Sequence, residues 1–491
     1  MSTDDAVWHD YHADEGVCVE PKDGVYDNGG SPANTGEQES WTGYVDVEAY
    51  SSEQILSLVE IAPAPGKGRC MYTRRAYEPG EIIIIEKPLF AITPDSNSNI
   101  WDTLMTLHQE QPLHLPPLWH HAALVSILEG NEEKLEIMKG KWVLDNDPPV
   151  SEDVYRILEV TCAEHRDGSF VYHNGTVICP NLYQFLLQVW PLNAFAHSTH
   201  PQGLVIYDKI SYLAHSCDSS ATWNHYGEDI FVLRARRKLQ IGDELTISYI
   251  GEADLLAPTP RRRKLLQNWA FRCGCQRCIM KTDAARGFLC KRCQYGRINL
   301  FSDPGDEYIN SDPCTSCGYT FTQEDISTYI QLEDAYIDYI DNMDRSNILG
   351  IQQVYNNAKN VFNQHWCIYQ LQTMLFEIYK EKGETELSRH YMNQRISYLN
   401  AVMPRPLYSV AFTYEEFADM LSTSAGLKLD DTELVNHDVD IETLRIIMDL
   451  YYKAVALLYI LAGQEHPYYY AVATKLGRID ALLNEKVPPQ L

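Results

Sequence analysis

The chain has 491 residues, more than one hydrophobic core usually organises, so about two to four domains are expected. Its 45% hydrophobic and 22% charged residues are those of an ordinary globular protein and exclude collagenous or wholly disordered chains. Forty basic against sixty-eight acidic residues leave a net charge of −28, which excludes nucleic-acid binding by bulk electrostatics and favours basic partners.

Residues 1–60 hold fourteen Asp and Glu against one Lys, so this stretch alone carries −13. Clusters such as Asp27-Asn28-Gly29-Gly30-Ser31-Pro32 offer little to bury, and an acidic, largely disordered extension is expected over 1–60. The polar N-terminus reads as lacking a signal-peptide apolar region, and the longest apolar runs, such as Ala454–Ala462, reach about half a membrane span.

From Ile61 the texture changes. Ile82-Ile83-Ile84-Ile85, after a Glu78-Pro79-Gly80 turn and closed by Pro88, reads as a short strand. Residues 100–190 read as helices and loops, with apolar stretches at 104–107, 124–128 and 182–187. Strand texture returns at 230–233 and 245–249, around the turn Gln240-Ile241-Gly242-Asp243. After Phe321 the chain reads as helical: Leu444, Ile447, Tyr451, Val455, Leu458 and Ala462 form one stripe at intervals of three and four. Similar stripes run through 326–343, 349–381, 384–401 and 467–484. Paired helices in a solenoid fit them, without a clean repeat of about 34 residues.

Eight of the thirteen cysteines lie between Cys217 and Cys317, a clustering that favours metal over disulfides. Cys273-Gly-Cys275-Gln-Arg-Cys278 leaves a tetrahedral zinc one ligand short, and Cys217 is the leading candidate for the fourth. Cys290-x₂-Cys293 and Cys314-x₂-Cys317 have the spacing of a zinc ribbon. Both sets read as closed structural sites, since neither offers a His or carboxylate with an open position. Cys18, Cys70, Cys162, Cys179 and Cys367 are scattered singly and read as inert thiols.

Four motifs stand in order: Lys67-Gly68-Arg69, Tyr207-x₅-Leu213-Ala214-His215-Ser216-Cys217-Asp218, Gly242-Asp243-Glu244-Leu245-Thr246-Ile247-Ser248-Tyr249, and Cys273-x-Cys275-x₂-Cys278. Together they resemble a SET domain of the SMYD branch of protein lysine methyltransferases, matched over about 61–90 and 190–280. Gln464-Glu465-His466-Pro467 is similar to a pattern of that branch's helical C-terminus. The branch carries a zinc-binding MYND finger where residues 91–190 here hold only Cys162 and Cys179, so the finger reads as absent. In that respect the chain resembles the apical complex lysine methyltransferases of apicomplexan parasites.

The resemblance implies an α+β fold. A β-rich SET domain is expected over 61–270 with a helical insertion at about 91–190, then a zinc-binding post-SET and ribbon-like segment over 271–320. An all-α tetratricopeptide-like domain is expected over 321–491. It implies transfer of methyl from S-adenosylmethionine to a protein lysine, with two structural zinc ions. Tyr249 matches the catalytic channel tyrosine, and Phe195, Tyr207 and Trp269 match the substrate channel. Lys67, Gly68, Arg69, Asn193, Ala214, His215 and Phe271 match cofactor positions: Lys67 and Arg69 near its carboxylate, Asn193 at its methionine part. Ala214 and His215 would meet the adenine through their backbone, and Phe271 by stacking. Where the family has Asn-His-Ser-Cys, this chain has Ala214, which removes an amide that helps hold the cofactor.

The expected partner is a protein lysine in a basic segment, with no direct nucleic acid and no membrane span; a homo-oligomer stays open. The expected location is the cytoplasm, with the nucleus or cytoskeleton as further sites. The alternative is a catalytically weak, zinc-stabilised scaffold that binds proteins.

Overall fold

The computed structural model describes residues 47–486 except 142–148, 167, 270, 302–308, 404, 428 and 430–438. These fall into two units, residues 89–208 in one and residues 47–88 with 209–486 in the other. The acidic extension expected over 1–60 ends sooner, because Val47, Ile55 and Val59 are buried. Helix α1 (Ser52–Leu58) starts there on a reciprocal cap: Gln54 N–H donates to Ser51 Oγ at 3.2 Å, and Ser51 N–H to Gln54 Oε1 at 2.7 Å. The rest of that extension, residues 1–46, lies outside the described residues.

Strands β1 (Val59–Ala64) and β2 (Gly68–Thr73) then form an antiparallel hairpin, and β3 (Ile82–Glu86) is the expected isoleucine strand.

The first unit begins with β4 (Phe90–Ile92), α2 (Ser98–Glu110), α3 (Pro117–Glu129), α4 (Glu132–Lys141) and α5 (Glu152–Thr161). After them come β5 (Glu164–Arg166), β6 (Ser169–Val171), β7 (Val177–Ile178), α6 (Pro180–Asn193), β8 (Phe195–Ala196) and β9 (Leu204–Ile206). Helix α3 is buried at every position from His120 to Ile127, so its three polar side chains need partners, and His121 Nε2 lies 3.0 Å from the Thr93 carbonyl. Tyr183 supplies a hydroxyl 2.9 Å from His120 Nδ1, and Trp190 Nε1–H donates to Ser126 Oγ at 3.1 Å.

The chain re-enters the second unit through a 3₁₀ turn at Ile210–Tyr212, then β10 (Ala214–His215), β11 (Ala221–Tyr226), β12 (Ile230–Ala235) and β13 (Glu244–Ile247). Two sheets result, ordered β1-β2-β13-β10 and β11-β12-β3. Short helices α7 (Glu252–Leu255), α8 (Thr259–Leu266) and α9 (Gln276–Ile279) lead to β14 (Arg286–Leu289), β15 (Arg297–Phe301) and β16 (Asn310–Ser311).

The helical end holds α10 (Gln323–Asp341), α11 (Ile348–Ala358), α12 (Trp366–Glu381), α13 (Thr385–Val402), α14 (Tyr408–Ser424), α15 (Ile441–Leu461) and α16 (Pro467–Lys486). The stripe expected over 349–381 is two helices, because β17 (Phe362–His365) interrupts it and pairs with β14. No helix among the described residues is long and apolar enough to cross a membrane.

The β14–β17 joint is locked by buried charge. Glu333 of α10 accepts from Arg286 Nε at 2.9 Å and Nη2 at 2.6 Å, and His365 Nε2 lies 3.2 Å away. Burial alone would raise the Glu333 carboxyl, but Arg286 and His365 outweigh it and hold the group down to about 2. Glu333→Gln would leave the buried guanidinium without its counter-charge and should cost about 3–5 kcal/mol in denaturant unfolding. The exposed Asp334→Asn should stay within about 0.5 kcal/mol of wild type. Because the folded carboxyl titrates below its ordinary value of 4.5, the wild-type contribution is complete above that pH and fades as pH falls towards about 2. The Gln variant should lose this acid limb.

Candidate active site and metal centres

Strand β13 is central, with β2 on one side and β10 on the other. Leu245 stands opposite Met71, and Ala214 and His215 opposite Thr246 and Ile247. Tyr249 lies just past the strand end, beside the end of its parallel neighbour. Its N–H donates to His215 Nδ1 at 3.0 Å and its hydroxyl to the Leu213 carbonyl at 2.6 Å, so both polar groups bind the same neighbouring segment. Around the phenol stand His215, Trp269 and Phe271, with ring centroids at 5.4, 5.8 and 6.2 Å. Burial pushes the phenol up to about 12, so it is a neutral donor at physiological pH.

His215 does more through its side chain than the sequence suggested. Burial lowers its pKa to about 4, so the ring is neutral at physiological pH. Nδ1 accepts from Tyr249, which puts the proton on Nε2, and Nε2 lies 3.3 Å from Cys217 Sγ. The imidazole is therefore an N–H···S donor to Cys217 and an acceptor for Tyr249 at once.

Cys217, Cys273, Cys275 and Cys278 bring their sulfurs within 4.8 Å of one another, and so do Cys290, Cys293, Cys314 and Cys317. A tetrahedral zinc with bonds of about 2.3 Å needs sulfurs about 3.8 Å apart. The separations are 4.0 Å for Cys217–Cys273, 3.5 Å for Cys217–Cys278, 3.6 Å for Cys290–Cys317 and 3.7 Å for Cys293–Cys314. The residues fit two zinc ions.

The cofactor-matched residues of this unit are differently placed. Gly68 opens β2 at φ +73, a conformation that favours glycine. Lys67 Nζ is already bound to both Glu244 oxygens at 2.9 Å, so serving a ligand carboxylate requires breaking that pair. The Arg69 guanidinium lies 5.0 Å from the Tyr212 ring centre. Phe271 stands 5.9 Å from the His215 ring. Asn193, Phe195 and Tyr207 belong to the other unit. There Phe195 and Tyr207 meet edge to face at 5.5 Å, and Asn193 Nδ2 donates back to the Val189 carbonyl at 2.8 Å.

Three further groups escaped the sequence reading. The buried Glu86 accepts the Lys209 and Ile210 N–H groups at 2.8 and 2.9 Å, fixing the turn into β10. Buried Arg262 places Nη2 3.9 Å from Cys278 Sγ, and Arg277 Nη1 lies 3.4 Å from the Cys217 carbonyl. Four thiolates on one dication leave two negative charges, which these guanidiniums offset. Arg262, inside the run Arg261-Arg262-Arg263-Lys264, and Arg277, next to Cys278, gave no such signal in the sequence.

Residues 68–250 match the family model of the SET domain. The Arabidopsis thaliana protein named histone-lysine N-methyltransferase ASHR1 is 22% identical over 278 residues, 48% of this chain and 57% of that protein. Human histone-lysine N-methyltransferase SMYD3 is 40% identical over 77 residues, 16% of this chain and 17% of its own length. The chain thus spans little more than half of one relative and a sixth of the other. The solved SET domain of LSMT, bound to lysine and AdoHcy, aligns over 90% of both chains at 10% identity with a TM-score of 0.29.

Elemental analysis should give about two zinc ions per chain, one for each set of four thiols. Cys273→Ser should remove one and Cys314→Ser the other. One ion or three in the wild type would break the assignment.

Proposed function

From the premise that the chain carries a SET domain over residues 68–250, we propose that it is a protein-lysine N-methyltransferase using S-adenosylmethionine. The observation that carries this reading is Tyr249, its hydroxyl held 2.6 Å from the Leu213 carbonyl inside a wall of His215, Trp269 and Phe271. The cofactor supplies an electrophilic methyl group on a sulfonium. The residues present suit it: aromatic faces favour a cation and exclude water, and the Phe271 and His215 rings offer surfaces to the adenine. Within the second unit, Arg69 is assigned to the cofactor's carboxylate and Trp269 to the lysine channel.

Transfer to a neutral amine is mostly positioning. Tyr249 contributes a fixed phenol whose lone pairs remain acceptors. Its raised pKa keeps it from acting as a phenolate base near neutrality, so the lysine proton leaves by another route. Ala214 favours a second reading, a scaffold with weakened catalysis, since it cannot supply an amide to the cofactor. Calorimetry with S-adenosylmethionine, followed by methyl transfer to mixed histones and lysate, separates the two. Binding with transfer supports the enzyme, and absence of both supports the scaffold.

Tyr249→Phe should abolish most turnover while cofactor affinity stays within a few fold. The lost bond to Leu213 should lower stability by only about 1 kcal/mol. Retention of most turnover would remove Tyr249 from the catalytic role.

The substrate lysine is assigned to a basic segment on the strength of the −28 net charge. The acidic residues of α10 (Glu333, Asp334, Asp338 and Asp341) are not all free to draw in such a segment, because Glu333 is bound to Arg286 and Asp341 to Arg261 at 3.0 Å. Of a second acidic run, Asp430, Asp431, Asp438 and Asp440, the first three lie outside the described residues, and Asp440 is occupied as the cap of α15, accepting from Thr443 N–H at 2.9 Å. For matched peptides, kcat/KM should favour the basic one at low salt, and the advantage should shrink as ionic strength rises. Equal rates at both salts would refute the assignment.

A further inference from the structure

Beyond the phenol and imidazole, the chain leaves the two central strands in a particular way. Three residues after His215 comes Asp218, and three after Tyr249 comes Glu252, so each strand end is followed by a carboxylate. Beside Asp218 lies the buried Arg236, 4% exposed. Its Nη2 donates to Asp218 Oδ1 at 3.0 Å, and Glu252 attracts it electrostatically.

Both carboxylates are also held from the helical region, at the corner between α13 and α14. Arg405 Nε lies 3.4 Å from Asp218 Oδ1. The first two amides of α14 are captured by Glu252, with Tyr408 N–H at 2.9 Å and Ser409 N–H at 2.6 Å. These would otherwise be orphan donors of the helix N-terminus, where a carboxylate is favoured. Next to them Leu407 is 1% exposed, and the Tyr398 hydroxyl donates to the Leu256 carbonyl at 2.9 Å. Arg405 and the start of α14 therefore hold the exit of both strands that carry the site.

We propose that Asp218, Arg236, Glu252 and Arg405 form a positioning clamp, through which the α13–α14 corner sets the spacing of His215 and Tyr249. The inference rests on the methyltransferase reading for its effect on rate, though not for its effect on structure. Each arm of the clamp is three residues from a group whose placement decides the chemistry, and misplacement by about 1 Å can cost on the order of a hundredfold. The clamp couples two regions of the second unit that the sequence separates by more than 150 residues. Anything that binds or shifts the corner acts on the site without touching it.

Arg405→Ala is the discriminating variant, because its side chain is 43% exposed and a pair of this kind adds only about 0–1 kcal/mol to stability. Its melting temperature should match wild type, while amide exchange over 213–218 and 247–252 should speed up about threefold to tenfold. The kcat should fall by a similar factor with the peptide KM unchanged, and Arg405→Lys should restore part of both. Glu252→Gln, which keeps an acceptor for only one of the two α14 amides and removes the charge beside Arg236, should act in the same direction. Unchanged exchange in both segments would overturn the clamp. So would faster exchange with an unchanged kcat, since the links would then only hold the parts together. A wild type that transfers no methyl would refute the enzyme reading instead, and the exchange result would still decide the clamp.

Discussion

One neutral imidazole joins the chemistry of this site to its metal. Through Nδ1, His215 accepts the N–H of Tyr249, and through Nε2 it reaches the sulfur of Cys217. A histidine can serve both only as the Nε2–H tautomer, and burial secures the uncharged ring. Cys217 is in turn held among the thiols of Cys273, Cys275 and Cys278, three residues that lie more than fifty positions further along. A metal in that set fixes the sulfur, the sulfur fixes the ring, and the ring fixes the backbone of Tyr249. The post-strand cysteines thus support the candidate site, although none of them is assigned to a substrate.

The charge distribution follows from the same arrangement. The chain carries −28 overall, yet residues 260–297 hold eleven Lys and Arg against the single acid Asp283. That excess sits where two thiolate clusters concentrate negative charge, and part of it is spent on them, through Arg262 beside Cys278 and Arg277 beside the Cys217 carbonyl. Three more bind α10: Arg261 pairs with Asp341, Arg286 with Glu333, and Lys291 with Asp325. The acidic helix and the basic cysteine segment are therefore electrostatic partners within one unit. This is why acidity counted along the sequence overstates what is free to attract a substrate.

How far the sequence could be read depends on whether each contact is local. The two knuckles were legible because zinc ligands two residues apart define their own geometry, and the isoleucine strand and the stripe from Leu444 to Ala462 because periodicity is local too. Strand β17 was not, since Phe362-Asn363-Gln364-His365 becomes a strand only by pairing with β14, some eighty residues earlier. Helix α14 fell inside the expected helical region without a stripe of its own, because its buried face sets Thr413, Tyr414, Phe417, Ala418 and Ser422 among only two branched aliphatics, Val410 and Leu421. At the site, the family motifs pointed to Tyr249 and Cys217, and they gave no account of the His215 side chain, of Glu86, or of Arg236 beside Asp218. Each of those is a tertiary contact with no spacing rule behind it.

The same geometry constrains how the site can respond to proton concentration. Tyr249 stays a phenol up to about 12, and His215 stays neutral down to about 4. Neither group changes charge between those limits, so the hydrogen bonds that aim the phenol persist across the whole neutral range. A lysine side chain, by contrast, begins as an ammonium with an ordinary pKa of about 10.4 and must shed a proton before it can attack. Wherever the rate of such an enzyme rises with pH in this window, the titration belongs to the substrate amine rather than to these two residues. Under the proposed activity, the protein's part is to hold a fixed, uncharged wall around an amine whose charged form would lose its hydration there, which itself favours the neutral, reactive form.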